Sequence, residues 1–261
     1  LYLSHYGNLE EAVCEELLSP SGHLQEEPEN LMLQELREPA VYNSILTAIA
    51  HGANRLHEIA SAVGKDTNGL VFYLKNLQDL ELVRKIQPVE NTSSRKSLYQ
   101  LADNLYRFWF RFIPGCSSLI ALGMGKQAWE QKIRPQFPAY FGHVFEEIAL
   151  QYIQYQVKQG KGYPLYLQYG SWWGTDPRKR REEEIDLVCT DEQHVLCGEC
   201  KWKQDPMDLP VLRLLQERSE LVRKGRKIQY VLFSRAGFTP RLETEAREEN
   251  VLLLTPRELL I

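Results

Sequence analysis

The chain has 261 residues, of which 43% are hydrophobic and 25% are charged. This composition excludes disordered and collagen-like chains and allows a sizeable core, so we predict a globular protein with two domains, or two domains and a fragment. The net charge of −4 provides no chain-wide basic field, so any contact with nucleic acid must be local.

Residues 1–38 form the first predicted part of the chain. They contain short helical stretches rich in Leu and Glu, interrupted by Pro and Gly, and they are too few to stand alone as a domain. Because the sequence starts at Leu1 rather than Met, we expect it to be the C-terminal part of a longer protein.

Residues 39–103 show the element order of a winged-helix domain. Pro39 suits the first position of a helix, which His51 and Gly52 end. A second helix is predicted over 55–63, and Asp66 or Thr67 can cap a third. Two strands, at 82–86 and 97–101, then enclose a polar loop.

A winged helix of this kind predicts contact with duplex DNA. The third helix would enter the major groove and present Asn68 and Lys75, while Arg95 and Lys96 of the loop would contact phosphates. Winged helices also serve as protein-interaction modules, and the third helix has few basic residues. Both interpretations therefore stay open for this domain.

Residues 104–135 are predicted to be a helical connector rich in aromatic side chains. An aromatic stripe is more often packed in a core than used to stack bases, so we predict packing. The most apolar stretch, 105–122, contains Arg107, Arg111 and Pro114, which argues against a membrane span. The odd count of five cysteines and the lack of a secretory signal pattern favour the cytoplasm.

Residues 136–261 are predicted to form a mixed sheet flanked by helices. A helix is expected from Ala139 to Gln159 and another from Asp208 to Lys224. The predicted strands are Pro164–Tyr169, Glu183–Cys189, His194–Trp202, Ile228–Phe233 and Val251–Leu254. This order of helices and strands suits an α/β domain of the α+β type.

Three charged residues within the predicted strands point to metal chemistry. Glu199 and Lys201 lie two apart and share a strand face, and a hairpin can place Asp186 beside Glu199. Two adjacent carboxylates repel each other, and a hard cation such as Mg²⁺ or Mn²⁺ would relieve that repulsion. The alternative is a solvated outer face of the sheet, but the surrounding apolar residues favour a buried site.

The preceding helix supplies a third carboxylate. At about 100° per residue, Glu146 falls within the apolar arc of the helix, whereas Glu147 lies on the polar side. A carboxylate on a buried face needs a partner, which could be a metal or an Arg or Lys of the sheet.

Two other sequence features carry weaker signals. The basic run of Arg178, Lys179, Arg180 and Arg181 can be a solvated loop or can bind a phosphate backbone. Cys197 and Cys200 form a C-x-x-C motif, but a spacing of three on a strand points the thiols to opposite faces. We therefore do not expect these thiols to share a zinc ion.

The quoted motifs resemble the PD-(D/E)XK nuclease superfamily. They are Phe145–Glu146, Ile185–Val188 and Gly198–Trp202, in the order helix, strand, strand. Over nearly its full length the chain also resembles the C-terminal portion of an archaeal-type AAA+ ATPase family, in which a winged helix and a nuclease-like domain follow the ATPase module. In this resemblance, residues 1–38 look like the remnant of the ATPase lid.

The resemblance implies a restriction-endonuclease-like fold for residues 136–261. It also implies that Glu146, Asp186 and Glu199 are metal ligands and that Lys201 is the catalytic lysine of a Mg²⁺-dependent endodeoxyribonuclease. Ile185 replaces the superfamily proline before the first acid, and no P-loop motif for ATP occurs in the sequence.

Two functions therefore follow as hypotheses. The first is a DNA-binding, metal-dependent nuclease domain attached to an ATPase. The second is a non-catalytic DNA-binding or protein-interaction module of an ATPase, with self-association as a further form of interaction.

Overall fold

The computed structural model describes residues 6–90 and 96–259. The chain has a mixed α+β architecture divided into two compact units. Unit 1 comprises the described parts of Leu1–Ile86 and Ser97–Phe137, and unit 2 comprises those of Gln87–Lys96 and Pro138–Ile261. The predicted segments 1–38, 39–103 and 104–135 therefore lie in unit 1, apart from residues 87–96.

Unit 1 begins with helices and a small sheet. The elements are α1 (Leu9–Glu16), α2 (Glu27–Glu35), α3 (Pro39–Ala50), α4 (Leu56–Val63), α5 (Thr67–Asp79), β1 (Val83–Ile86) and β2 (Leu98–Leu101). The last two strands pair antiparallel. The three predicted helices and the hairpin of residues 39–103 are thus confirmed as elements.

Local signals account for the ends of these helices. Pro39 occupies the start of α3, where its missing N–H costs nothing. Gly64 ends α4 with φ of 69°, a left-handed conformation that glycine adopts without strain. The side chain of Asp66 caps α5 by accepting a hydrogen bond from the Gly69 N–H at 2.8 Å.

The aromatic connector completes unit 1. It contains α6 (Asn104–Phe112), a 3₁₀ turn (Pro114–Cys116), α7 (Ser117–Ala121), α8 (Gly125–Ala128) and a π-helical turn (Trp129–Ile133). Four aromatic side chains of α6 are buried: Phe108, Trp109, Phe110 and Phe112. The prediction that these rings pack in a core is confirmed.

Unit 2 is built on a five-stranded sheet. Its elements are α9 (Phe137–Lys158), β3 (Gln168–Asp176), β4 (Arg181–Thr190), β5 (His194–Lys201), α10 (Leu209–Arg223), β6 (Lys227–Ser234), α11 (Pro240–Glu248), β7 (Leu252–Leu254) and α12 (Pro256–Leu259). The strand order is β3-β4-β5-β6-β7. Strands β3, β4 and β5 pair antiparallel and β5, β6 and β7 pair parallel, so the predicted mixed sheet is confirmed.

Two predictions for unit 2 need correction. The first strand was predicted at Pro164–Tyr169 but runs from Gln168 to Asp176. Its glycines, Gly170 and Gly174, have low strand propensity, and pairing with β4 overrides that propensity. Helix α11 was not predicted, although Thr239 caps its start and a proline follows.

Two hydrophobic clusters cover the faces of this sheet. One contains Leu212 and Leu215 of α10 and the other contains Phe145 and Ala149 of α9. Cys197 belongs to the first cluster and Cys200 to the second, which confirms that the two thiols point to opposite faces. None of the helices formed by the described residues is long and apolar enough to span a bilayer.

Candidate functional site

The hairpin of β4 and β5 brings three of the predicted site residues together. The ladder between these strands ends at the pair of Leu187 and Gly198, and Asp186 and Glu199 are the residues directly beyond that pair. The Cys200 N–H donates a hydrogen bond to Asp186 Oδ2 at 2.9 Å. Lys201 Nζ contacts Glu199 Oε1 and lies 3.9 Å from Asp186 Oδ2, so one ammonium group serves both carboxylates.

A β-bulge in β4 sets the direction of Asp186. Gly170 and Trp172 of β3, two residues apart, pair with Val188 and Ile185, three residues apart, so β4 contains one extra residue at this point. Accordingly Ile185 and Leu187 belong to the clusters on opposite faces, although residues two apart in a regular strand share a face. The bulge thus changes the face of the sheet toward which the side chains around Asp186 point.

Burial and charge dominate the electrostatics of this site. Burial, together with the negative charges of Glu199 and Glu146, raises the pKa of Asp186 to about 8, although Lys201 acts in the opposite direction. Burial alone would lower the pKa of Lys201, but the charges of Glu199 and Asp186 and the hydrogen bond to Glu199 outweigh it and raise that pKa. Lys201 thus offsets only part of the effect that burial and the neighbouring acids have on Asp186.

One carboxylate oxygen of this site has no hydrogen-bond partner. The side chain of Glu199 is only 6% exposed, and its Oε1 is occupied by Lys201. Its Oε2 is buried and has no donor within hydrogen-bond distance. A buried acceptor without a partner is unfavourable, and it suits an oxygen that binds a cation.

Glu146 lies near this pair but does not complete a metal cluster. Its side chain on α9 is 32% exposed, and its Oε2 lies 3.5 Å from Nδ1 of His143. The charge of Glu146 nevertheless contributes to the raised pKa of Asp186. Across 6–90 and 96–259, no group of three or more His, Cys, Asp and Glu side chains is arranged to hold a metal ion.

Two further residues, the acid Glu184 and the base His143, interact electrostatically around Glu146. Partial burial and the charge of Glu146 raise the pKa of Glu184, and the charge of His143 opposes that shift. Neither residue was predicted as part of the site from the sequence. Spacing could have indicated both residues. Glu184 precedes Asp186 by two strand positions, and His143 precedes Glu146 by nearly one helical turn.

The basic run before β4 is partly used inside unit 2. Lys179 Nζ lies 2.7 Å from Glu217 and 3.6 Å from Glu183, and Arg181 Nε lies 2.6 Å from Glu183. The side chains of Arg178 and Arg180 are exposed. Two of the four basic residues, Lys179 and Arg181, therefore form ion pairs within unit 2.

The other predicted nucleic-acid residues are in three places. Asn68 and Lys75 are exposed on α5, together with the apolar side chains of Val71 (49% exposed) and Phe72 (62% exposed). Lys96 belongs to unit 2, where its carbonyl accepts a hydrogen bond from the Trp173 indole at 3.0 Å. Arg95 lies outside the described residues.

Two solved structures show a distant likeness to the chain. Protein VC1899 from Vibrio cholerae aligns with 97% of this chain and 55% of its own, at 14% identity and a TM-score of 0.38. An O-methyltransferase from neocarzinostatin biosynthesis aligns with 88% of this chain and 67% of its own, at 12% identity and a TM-score of 0.23.

Sequence comparison gives a nearer relative. An uncharacterized protein of Methanocaldococcus jannaschii, MJECL04, is 34% identical over 204 residues, which cover 76% of this chain. The chain spans 44% of the length of that curated relative.

A family described as archaea bacterial proteins of unknown function matches residues 109–219. This span includes Glu146, Asp186, Glu199 and Lys201. Over residues 109–219 the chain is therefore similar to DUF234, a family whose function is unknown.

Proposed function

We propose that unit 2 is a metal-dependent nuclease domain of the PD-(D/E)XK type that hydrolyses phosphodiester bonds in DNA. The observation that carries this proposal is the Oε2 atom of Glu199. This atom is buried in the site that Asp186 and Lys201 share with Glu199, and it has no hydrogen-bond partner. Unit 1 would supply a winged helix that contacts DNA, and an AAA+ ATPase module would be attached to the chain. The five cysteines are free thiols, which suits the cytoplasm.

The donor set fits a hard divalent cation. Asp186 and Glu199 would hold Mg²⁺ or Mn²⁺, and Glu146 of α9 would join them when the ion binds. When bound, such a cation would polarise the scissile phosphate and activate a water molecule. The cation would also relieve the mutual repulsion of the carboxylates, which contributes, after burial, to the raised pKa of Asp186.

Lys201 would act directly on the reacting atoms. Its ammonium group contacts Glu199 and faces Asp186, so it lies where both proposed ligands meet. There it would hold the attacking water by a hydrogen bond or stabilise the negative charge that builds on the phosphoryl oxygens.

Calorimetric titration with Mn²⁺ tests the proposed metal site. The wild type is expected to bind the ion, and the double variant Asp186→Asn with Glu199→Gln is expected to lose binding, because amides offer no negative charge. Circular dichroism of both proteins checks that the fold is intact. Equal heats from the two proteins, or no binding by the wild type in the presence of DNA, would contradict the site.

The same titration tests the role of Glu146. Glu146→Gln is expected to weaken Mn²⁺ binding by about tenfold or more, the effect known even for residues that only orient metal ligands. Glu147→Gln is the matched control one residue along α9 and should leave the affinity unchanged. Equal effects of the two substitutions would rule out a ligand role that depends on the helix face.

A second function is favoured by the surface of α5. Val71 and Phe72 are exposed at the centre of the helix that would read DNA, beside only one lysine, Lys75. Exposed apolar side chains on a helix suit contact with another protein. In this alternative the chain would be a non-catalytic module that docks to its ATPase, and DNA cleavage would be absent.

A further inference from the structure

Arg235 lies directly beside the proposed catalytic lysine. Strands β5 and β6 run parallel, and their last residues, Lys201 and Ser234, pair with each other. The Arg235 N–H continues this ladder by donating a hydrogen bond to the Lys201 carbonyl at 3.0 Å. The backbone of Arg235 is therefore held at the same edge of the sheet as Lys201.

The side chain of Arg235 is oriented by an aromatic ring. Its guanidinium carbon lies 5.1 Å from the centroid of the Trp202 ring, a cation–π geometry. Trp202 is in turn packed against Phe141 and Phe145, with ring centroids 4.4 and 5.0 Å away. A cation–π contact of this kind holds the guanidinium group in place while its N–H groups stay available as donors.

Arg235 also differs in its partners from the three arginines of unit 2 that lie on or beside α10. Arg213, Arg218 and Arg226 each form ion pairs with glutamates. Arg235 is exposed and forms no ion pair with a carboxylate in the part of the chain that the structure describes. An oriented arginine without an internal partner is available to an external anion.

The charge of the neighbouring site explains why such a cation would be needed. Lys201 contacts only Glu199 and Asp186, and Glu146 and Glu184 add two further acidic groups nearby, so the centre by itself repels a polyanion. We propose that Arg235 binds a backbone phosphate of the nucleic acid next to the bond that is cut. This inference rests on the proposed nuclease function and makes the substrate a polynucleotide rather than an isolated phosphodiester.

The test is DNA binding measured against salt concentration. Fluorescence anisotropy with a short duplex, in EDTA so that no DNA is cut, compares the wild type with Arg235→Gln between about 50 and 200 mM salt. We expect the variant to bind several-fold more weakly and the slope of log K against log salt to fall by about 0.9, the loss of one phosphate contact. Arg235→Lys should keep the slope.

Two controls separate this role from a structural one. Arg247→Gln removes an exposed arginine from the last turn of α11 and should change neither the affinity nor the slope. Mn²⁺-dependent hydrolysis of bis(p-nitrophenyl) phosphate, which has no neighbouring phosphate, should be the same in Arg235→Gln and the wild type. A substitution that merely disturbed Lys201 would lower that hydrolysis as well.

The outcomes distinguish this inference from the proposed function. If the wild type cuts DNA and Arg235→Gln keeps the wild-type slope and cleavage rate, the role of Arg235 is wrong and the nuclease proposal stands. If the wild type neither binds nor cuts DNA, both are wrong. A reduced slope with unchanged hydrolysis of the small diester supports the phosphate contact.

Discussion

Replacing Lys201 by methionine is expected to slow Mg²⁺- or Mn²⁺-dependent cleavage of plasmid DNA by about 10²–10³-fold. The ammonium group that contacts Glu199 and faces Asp186 would be lost, while a side chain of similar length would still fill its place. Conversion of supercoiled to nicked and linear plasmid measures the rate. The DNA affinity of this variant should fall, relative to the wild type, by no more than the loss of one phosphate contact would cause.

Lys227→Met is the matched control for this experiment. Lys227 begins β6 and pairs with His194 at the start of β5, so it lies at the opposite end of the same two parallel strands. Its substitution removes one exposed positive charge from the sheet and should leave the cleavage rate unchanged. Full cleavage by Lys201→Met would contradict the catalytic role, and binding without any cleavage by the wild type would favour the non-catalytic module.

Replacing Glu183 by glutamine is expected to lower the free energy of unfolding by about 2–3 kcal/mol. The Glu183 side chain is 2% exposed and accepts hydrogen bonds from Arg181 at 2.6 Å and Arg218 at 2.8 Å. Glutamine would leave these cations without their counter-ion. Because they remain partly exposed, the loss should be smaller than for a fully buried pair. Urea denaturation followed by circular dichroism measures it.

Glu182→Gln is the control for this stability change. Glu182 is the exposed neighbour on β4 and accepts a hydrogen bond from Thr175, so its substitution should cost less than about 1 kcal/mol. Equal losses in the two variants would show that the buried ion cluster does not stabilise unit 2 in the way described.

The pH dependence of stability gives an independent measure of the same cluster. The hydrogen bonds from Arg181 and Arg218 hold the pKa of Glu183 below its usual range despite burial. A lowered folded-state pKa stabilises the protein above the unfolded-state value of about 4.3, and this stabilisation is lost as the pH falls through the folded-state pKa. The Glu183→Gln variant should therefore lose less stability than the wild type when the pH falls below about 4.3.

Much of the fold could be predicted because its signals are local. The ends of α3, α4 and α5 follow from Pro39, Gly64 and Asp66, each of which acts within a few residues. Strands β4 and β5 follow from β-favouring residues joined by a short turn. The proximity of Asp186 to Glu199 depends only on that hairpin, so it too was accessible from the sequence.

The features that could not be predicted depend on contacts between distant residues. Strand β3 contains glycines and exists because β4 pairs with it, and the bulge at Asp186 becomes visible only in that pairing. The ion pairs of Lys179 and Arg181 with Glu183 could not be predicted either, because a basic run of this kind is also typical of a solvated loop.

The amino-acid sequence alone thus determined helices α3, α4 and α5, the β4–β5 hairpin and the identity of the charged residues, since these depend on backbone preference and short spacing. Only the tertiary structure decided which polar groups find partners within the fold. It paired Lys179 and Arg181 with Glu183, left Glu199 Oε2 without a partner and placed Arg235 over the ring of Trp202. Such contacts arise from sheet order and core packing, which bring together residues that no local pattern connects.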